Sequence, residues 1–157
     1  MTKFQWIRTC VFLIIATATL NISMGCSSAS AGSSPDGEPW KPEQLMDPAA
    51  LAKRLETGKD VPVIINIGPS GLIAGALDIG PGQDEANIAN MKKELAKLTK
   101  DREVVIYCGC CPFKNCPNIR PAFTALNEAG MKKSYLLNLP QNLRVDWIAK
   151  DYPMAKN

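Results

Sequence analysis

The residues best able to do chemistry in this 157-residue chain are four thiols within nine positions, in the order C-x-C-C-x4-C: Cys108, Cys110, Cys111 and Cys116. A thiolate is a nucleophile and a ligand for soft metals, and neighbouring thiols exchange sulfur. A disulfide between the adjacent Cys110 and Cys111 would be strained. Structural zinc usually takes two ligand pairs from separate turns, which this compact cluster does not offer. The cluster therefore predicts sulfur or redox chemistry, with metal binding and inert thiols as alternatives.

The chain contains no histidine, which excludes catalysis by a Cys-His or Ser-His pair and any imidazole metal ligand. A thiol here must be activated by backbone amides, by a helix end or by cationic side chains. Lys114 and Arg120 lie close in sequence. We expect these cations and the following helix to lower the pKa of Cys108 from the free value of about 8.5.

The segments around the thiols alternate between strands and helices. An apolar strand over 104–107 leads to Cys108, and a helix with Pro117 at its first position and Cys116 at its N-terminus runs to Gly130. Further strands are predicted over 61–68, 76–79 and 134–139, and further helices over 48–55, 85–99 and 141–150. This order predicts an α/β fold with a parallel sheet of about five strands and helices on both faces. Ligands of such sheets bind at the carboxyl ends of the strands, where the thiols lie.

Asn66 is the polar exception in the apolar run 61–68. It either orients a neighbouring loop or satisfies backbone groups at the end of the strand. The spaced apolar residues of the predicted helices, among them Leu51, Met91 and Phe123, indicate core packing rather than a binding surface.

The N-terminus has the layout of an export signal. Lys3 and Arg8 precede a largely apolar stretch over 9–24, which is short for a membrane span. Gly25-Cys26 then resembles the lipobox of bacterial lipoproteins, which predicts a lipoprotein-type signal peptide over 1–25 and lipidation of Cys26. The alternative is a plain secretory signal. Cys10 lies inside the leader and would be removed with it.

Composition divides the rest of the chain. Residues 26–39 form a Ser/Ala/Gly/Pro linker, and residues 40–157 form one domain. The net charge is +3 without a basic tract or an aromatic face, which argues against nucleic acid as a partner. We expect an exported protein held by its lipid anchor on a membrane of the cell envelope, facing the periplasm or the exterior.

The region from about Trp40 to Pro153 resembles the rhodanese-like domain family. Residues 63–68 stand where those proteins have a strand ending in a Leu-Asp-Val-Arg type motif, and 71–76 stand at their Gly-His-Ile-Pro-Gly-Ala turn. Residues 104–108 match the strand that delivers the catalytic cysteine, and Asp146-Trp147 with Tyr152-Pro153 resemble the closing segment. The chain departs from the family in having Asn66, Gly68 and Leu72 in place of Asp, Arg and His, and a longer thiol-bearing loop.

The resemblance implies a sulfurtransferase that works through a cysteine persulfide. A small donor such as thiosulfate loads the cysteine, and a thiol or cyanide accepts the sulfur, with no cofactor or metal. It implies Cys108 as nucleophile and Cys111 and Cys116 as its partners. The predicted position of Cys116 at a helix N-terminus makes it the second candidate nucleophile. Gly109, Cys110, Lys114 and Arg120 are the predicted substrate-binding residues.

Two other functions use the same thiols. One is a thiol-disulfide oxidoreductase or redox sensor, and the other is a module that binds a soft metal such as copper or zinc. Phosphatase chemistry is disfavoured, because Arg120 lies too far along the chain for a Cys-x5-Arg phosphate cradle.

Overall fold

The computed structural model describes residues 37–156. The predicted signal peptide over 1–25 with Cys10, the lipidation site at Cys26 and most of the linker over 26–39 lie outside the described residues. Within those residues, no helix is both long enough and apolar enough to cross a membrane.

Within residues 37–156, five parallel strands form one sheet in the order β1-β5-β4-β2-β3. The strands are β1 (Leu45–Met46), β2 (Val63–Asn66), β3 (Leu77–Asp78), β4 (Glu103–Tyr107) and β5 (Lys133–Leu137). The predicted α/β class and parallel sheet of about five strands are confirmed. Strand β4 lies in the middle of the sheet, so the residue that follows it emerges at the centre of the carboxyl edge.

In the described part of the chain, four α-helices accompany the sheet: α1 (Pro48–Thr57), α2 (Glu85–Ala96), α3 (Ile119–Glu128) and α4 (Leu143–Asp146). Helix α1 begins with the Asp47 carboxylate accepting from the Ala49 N–H at 3.0 Å, and it ends at Gly58 with a positive φ of 64°. Aspartate before the first turn and glycine after the last turn are residue types preferred at helix ends, and both caps agree with the prediction from the sequence.

Alternate residues of β4 serve the two faces of the sheet. Val104 and Ile106 pack with α2 and α3, and Val105 and Tyr107 pack with α1 and the segment around Trp147 on the other face. Because side chains alternate along a strand, Cys108 continues the first set and faces α3. The expected core roles of Leu51, Met91 and Phe123 are confirmed, since all three are fully buried.

The last predicted helix, over 141–150, is wrong as a single element. Helix α4 ends at Asp146, and a separate 3-10 helix spans Ile148–Lys150. Between them Trp147 leaves helical geometry with φ −132° and ψ −62°. Its side chain is fully buried, and its indole N–H donates to the Pro153 carbonyl at 3.1 Å. Burying this large ring and satisfying its N–H override the helical pattern of the sequence.

Candidate thiol site

We call residues 108–118, which connect β4 to α3, the thiol loop. Gly109 lies second in it with a φ of 73°, a conformation that favours glycine. Its carbonyl accepts from the Leu143 N–H at 2.9 Å, and the Phe113 N–H donates to the Leu139 carbonyl at 3.2 Å. Phe113 opens a 3-10 helix (Phe113–Asn115) and its side chain is buried. The segment after β5 therefore fixes both halves of the loop.

The loop that follows β2 supports Cys108 from the other side. A Cβ on Gly68 would overlap the Sγ and the carbonyl oxygen of Cys108, so glycine is what allows the two loops to touch. The Ser70 hydroxyl donates to the Cys108 carbonyl. The Asn66 side-chain amide donates to the carbonyls of Gly68 at 3.0 Å and of Ser70 at 3.3 Å, and also to the Asp78 carboxylate at 3.0 Å. These contacts orient the loop and also satisfy backbone groups at the end of the strand, so Asn66 has both of its expected roles.

The four thiols predicted to act together do form one cluster, and all four are free. The Sγ of Cys110 lies 3.2 Å from that of Cys108, 3.3 Å from that of Cys111 and 3.9 Å from that of Cys116. Cys110 is exposed and Cys111 is partly exposed. Cys108 is 1% exposed and Cys116 is fully buried. The sulfur atom of Cys110 thus lies in the middle of the cluster, and Cys110 is the most exposed of the four residues.

The electrostatic environment of Cys108 differs from the prediction. The neighbouring Cys116 thiol and then burial raise the pKa of Cys108 well above its ordinary value, while hydrogen bonds from the Cys110 backbone and the Asn118 side chain oppose that rise. The prediction that a helix end and cations lower this pKa is wrong, because burial and a second thiol dominate. Burial and the Cys108 thiol raise the pKa of Cys110 as well.

Asn118 is part of the site although the sequence pattern does not point to it. Its side-chain amide donates to the Cys108 Sγ at 3.3 Å, and its side-chain oxygen accepts from the Gln83 N–H at 3.2 Å. The residue is 4% exposed and precedes α3, yet its side chain makes no helix cap. The one feature of the sequence that singles out Asn118 is its position before a helix. Asparagine at that position usually caps the helix by binding a backbone N–H of its first turn, which would not predict a contact with Cys108.

Helix α3 begins at Ile119, so the predicted start at Pro117 and the position of Cys116 at the helix N-terminus are wrong. The Cys116 N–H instead closes the 3-10 helix by donating to the Phe113 carbonyl at 3.2 Å. A short 3-10 turn therefore takes the place of the first helical turn, and Cys116 turns into the core.

The two cationic residues predicted to bind substrate differ in their contacts. Lys114 is exposed on the 3-10 helix. The Arg120 guanidinium is bound to Glu38 at 2.6 Å and to the Lys114 carbonyl at 2.8 Å, and it lies 5.7 Å from the centre of the Trp40 ring. These contacts fasten the segment before β1 to α3. Substrate binding by either residue stays a prediction.

The site is a cluster of soft nucleophiles at the carboxyl edge of a parallel sheet, with two amide donors directed at Cys108, one of its two buried members. Such an arrangement suits reactions in which sulfur is bound, moved or oxidised, and it also suits a soft metal ion. Comparison with protein-family models and with curated proteins finds no match to this chain.

Proposed function

We propose that the protein is a sulfurtransferase of the rhodanese type, which takes sulfane sulfur from a small donor such as thiosulfate and passes it to a thiol or cyanide. The observation that carries this proposal is the contact of the exposed Cys110 Sγ with the buried Cys108 Sγ at 3.2 Å, where Cys108 also receives two amide donors. The solvent-exposed Cys110 thiol can take up a reactive sulfur atom, and the buried, hydrogen-bonded Cys108 thiol can hold that sulfur away from solvent.

The first step takes place at Cys110. A donor dianion meets Cys110 before Cys108, because Cys110 is open to solvent and Cys108 is 1% exposed. The Cys110 thiolate attacks the outer sulfur of thiosulfate, a bond forms between Cys110 Sγ and that sulfur, and the sulfur–sulfur bond of the donor breaks. Sulfite leaves with the electron pair, and a Cys110 persulfide remains.

The second step moves the sulfur inward. The Cys108 thiolate attacks the outer sulfur of the Cys110 persulfide, and Cys110 leaves as a thiolate. The Cys108 persulfide anion then accepts hydrogen bonds from the Asn118 amide and the Cys110 N–H, which hold the Cys108 sulfur now. The same exchange in reverse returns the sulfur to Cys110, where cyanide or a thiol removes it. Cys110 is therefore the thiol that meets the donor, and Cys108, the nucleophile implied by the resemblance, is the thiol that stores the sulfur.

The test loads the reduced full chain with thiosulfate, with Cys10 and Cys26 changed to Ser so that only the four loop thiols remain. We expect a mass gain of one sulfur atom and release of one sulfite. Cys110→Ser should abolish both. Cys108→Ser should still load at Cys110, and cyanide should remove that sulfur faster than from the parent, because the sheltered position is lost.

Cys111→Ser is the matched control, since it removes a loop thiol that the two steps do not use. Loading that survives in Cys110→Ser but fails in Cys108→Ser would show that the donor reaches Cys108 directly. Absence of loading in the parent would reject sulfur transfer.

The 3.2 Å contact between Cys108 and Cys110 also favours a second function, thiol-disulfide exchange. A disulfide substrate such as oxidised glutathione would take two electrons from the pair and leave as two thiols. In the same mass measurement this reaction appears as a loss of two hydrogens without a gain of sulfur.

A further inference from the structure

Three sulfur atoms of the thiol loop surround a common point. The Sγ atoms of Cys108, Cys110 and Cys116 all lie within 4.8 Å of one another, with individual separations of 3.2 Å for Cys108–Cys110 and 3.9 Å for Cys110–Cys116. An ion about 2.3 Å from each of three sulfurs in a plane requires sulfur separations of about 4.0 Å. Of the observed edges, Cys110–Cys116 at 3.9 Å is close to that value and Cys108–Cys110 at 3.2 Å is shorter, so metal binding requires the Cys108 and Cys110 sulfur atoms to move apart.

We propose that Cys108, Cys110 and Cys116 bind one Cu(I) ion as three thiolates. This proposal does not depend on the proposed sulfurtransferase activity, because it needs only the positions of the three sulfur atoms.

The donor set favours copper over zinc. Thiolates are soft ligands that select Cu(I), whereas structural zinc sites are four-coordinate. Among His, Cys, Asp and Glu side chains of residues 37–156, these three cysteines are the group placed to hold a metal. Cys111 lies 3.3 Å from Cys110 but outside that group. Three soft donors without a fourth suit a three-coordinate monovalent ion.

The burial of the three cysteines suits a metal site with one opening. Cys108 and Cys116 form a sheltered floor, while the exposed Cys110 faces solvent, where an ion arrives. Binding replaces the three thiol protons, which go to solvent, and the copper stays monovalent. The Asn118 amide, 3.3 Å from the Cys108 Sγ, continues to donate to that sulfur and offsets part of the negative charge.

The experiment titrates the reduced full chain, with Cys10 and Cys26 changed to Ser, against the Cu(I)–bathocuproine disulfonate complex without oxygen. We expect one Cu(I) per chain, and X-ray absorption should show three sulfur ligands. Cys108→Ser, Cys110→Ser and Cys116→Ser should each weaken binding by at least about tenfold, since even changes to groups behind metal ligands cost about 10- to 100-fold. Cys111→Ser is the matched control and should retain the parent affinity.

Circular dichroism of each metal-free variant checks the fold, and Cys110→Ser is decisive because its exposed position makes misfolding the least concern. Equal losses in Cys111→Ser, four sulfur ligands, or tighter binding of Zn²⁺ than of Cu(I) in parallel chelator competitions would overturn the three-thiolate copper site. Retained copper in Cys110→Ser would overturn it as well.

Discussion

The side-chain amide of Asn118 donates to the Sγ of Cys108 at 3.3 Å, and the Gln83 N–H fixes the orientation of that amide by donating to its oxygen at 3.2 Å. The loop before α2 thus positions the Asn118 amide as a hydrogen-bond donor to the Cys108 sulfur, which follows β4. Since a donor favours the charged form of a thiol, this contact lowers the pKa of Cys108 against the larger effects of Cys116 and burial.

Asn118→Ala should raise the pKa of Cys108 further, and Asn118→Asp should raise it more, since the carboxylate repels a thiolate. A lost hydrogen bond to a charged group, about 1.5 kcal/mol, makes the thiolate about tenfold scarcer at a given pH. Thiolate absorbance recorded during a pH titration measures the change. Asn115→Asp, which adds the same charge at an exposed position of the loop, is the control. An unchanged titration of Asn118→Ala would contradict the role given to this amide.

The reduced protein should react with iodoacetamide in an order set by access. Cys110 is exposed and should be labelled first, Cys111 next, and Cys108 and Cys116 at least about tenfold more slowly, because they react only when the loop opens. Peptide mass spectrometry after short labelling times gives the order. In denaturant the four rates should converge. Fast labelling of native Cys108 would mean that a donor reaches it without help from Cys110.

Gly68→Ala should destabilise the protein by about 1–3 kcal/mol, since the added methyl group overlaps the Sγ and carbonyl of Cys108 and forces the two loops apart. Urea denaturation followed by tryptophan fluorescence measures the free energy of unfolding. The control is Gly71→Ala in the same loop, where the methyl group meets the flexible end of Met154 at 3.2 Å and makes an ordinary contact with Leu143 Cδ2 at 4.0 Å. Equal stability of the two variants would show that Gly68 is not needed for the contact.

The sheet was predictable because each buried strand has its own pattern. The run 104–107 is apolar and β-branched, which is typical of a parallel strand covered on both faces, and it places Cys108 at the carboxyl edge. Strand β1 (Leu45–Met46) was not predictable, since two residues carry no periodicity and its pairing with β5 is a long-range contact.

The spacing of the cysteines in the sequence is enough to predict which residues form the thiol cluster, but not which of them are buried and which are exposed. Which sulfur is exposed depends on a 3-10 turn that carries Cys116 inward and on a glycine in another loop that admits Cys108. The hydrogen bond between Gln83 and Asn118 joins residues 35 positions apart, so no local sequence pattern predicts it. The raised pKa of Cys108 is the consequence of these contacts, and for that reason it reversed the expectation based on nearby charges.

The paired ions at the other end of β4 predict how stability depends on pH. Arg54 of α1 holds the Glu103 carboxylate with two hydrogen bonds of 2.7 and 2.8 Å, and both side chains are 24% exposed. The bond to Arg54 lowers the pKa of Glu103 below its ordinary 4.5. Glu103 therefore binds a proton more readily in the unfolded chain than in the folded protein. The stabilisation is present above about pH 4.5 and is lost as the pH falls through the lower folded value.

Glu103→Gln should cost about 1–2 kcal/mol of unfolding free energy at pH 7, and the difference from the parent should shrink as the pH falls below 4.5. Urea denaturation at several pH values measures both quantities. Glu94→Gln is the matched control, because its partner Lys97, just after α2, is 66% exposed and such a pair contributes less than about 0.5 kcal/mol. A loss for Glu103→Gln that stays constant down to the lowest pH would mean that packing, rather than the ion pair, accounts for its effect.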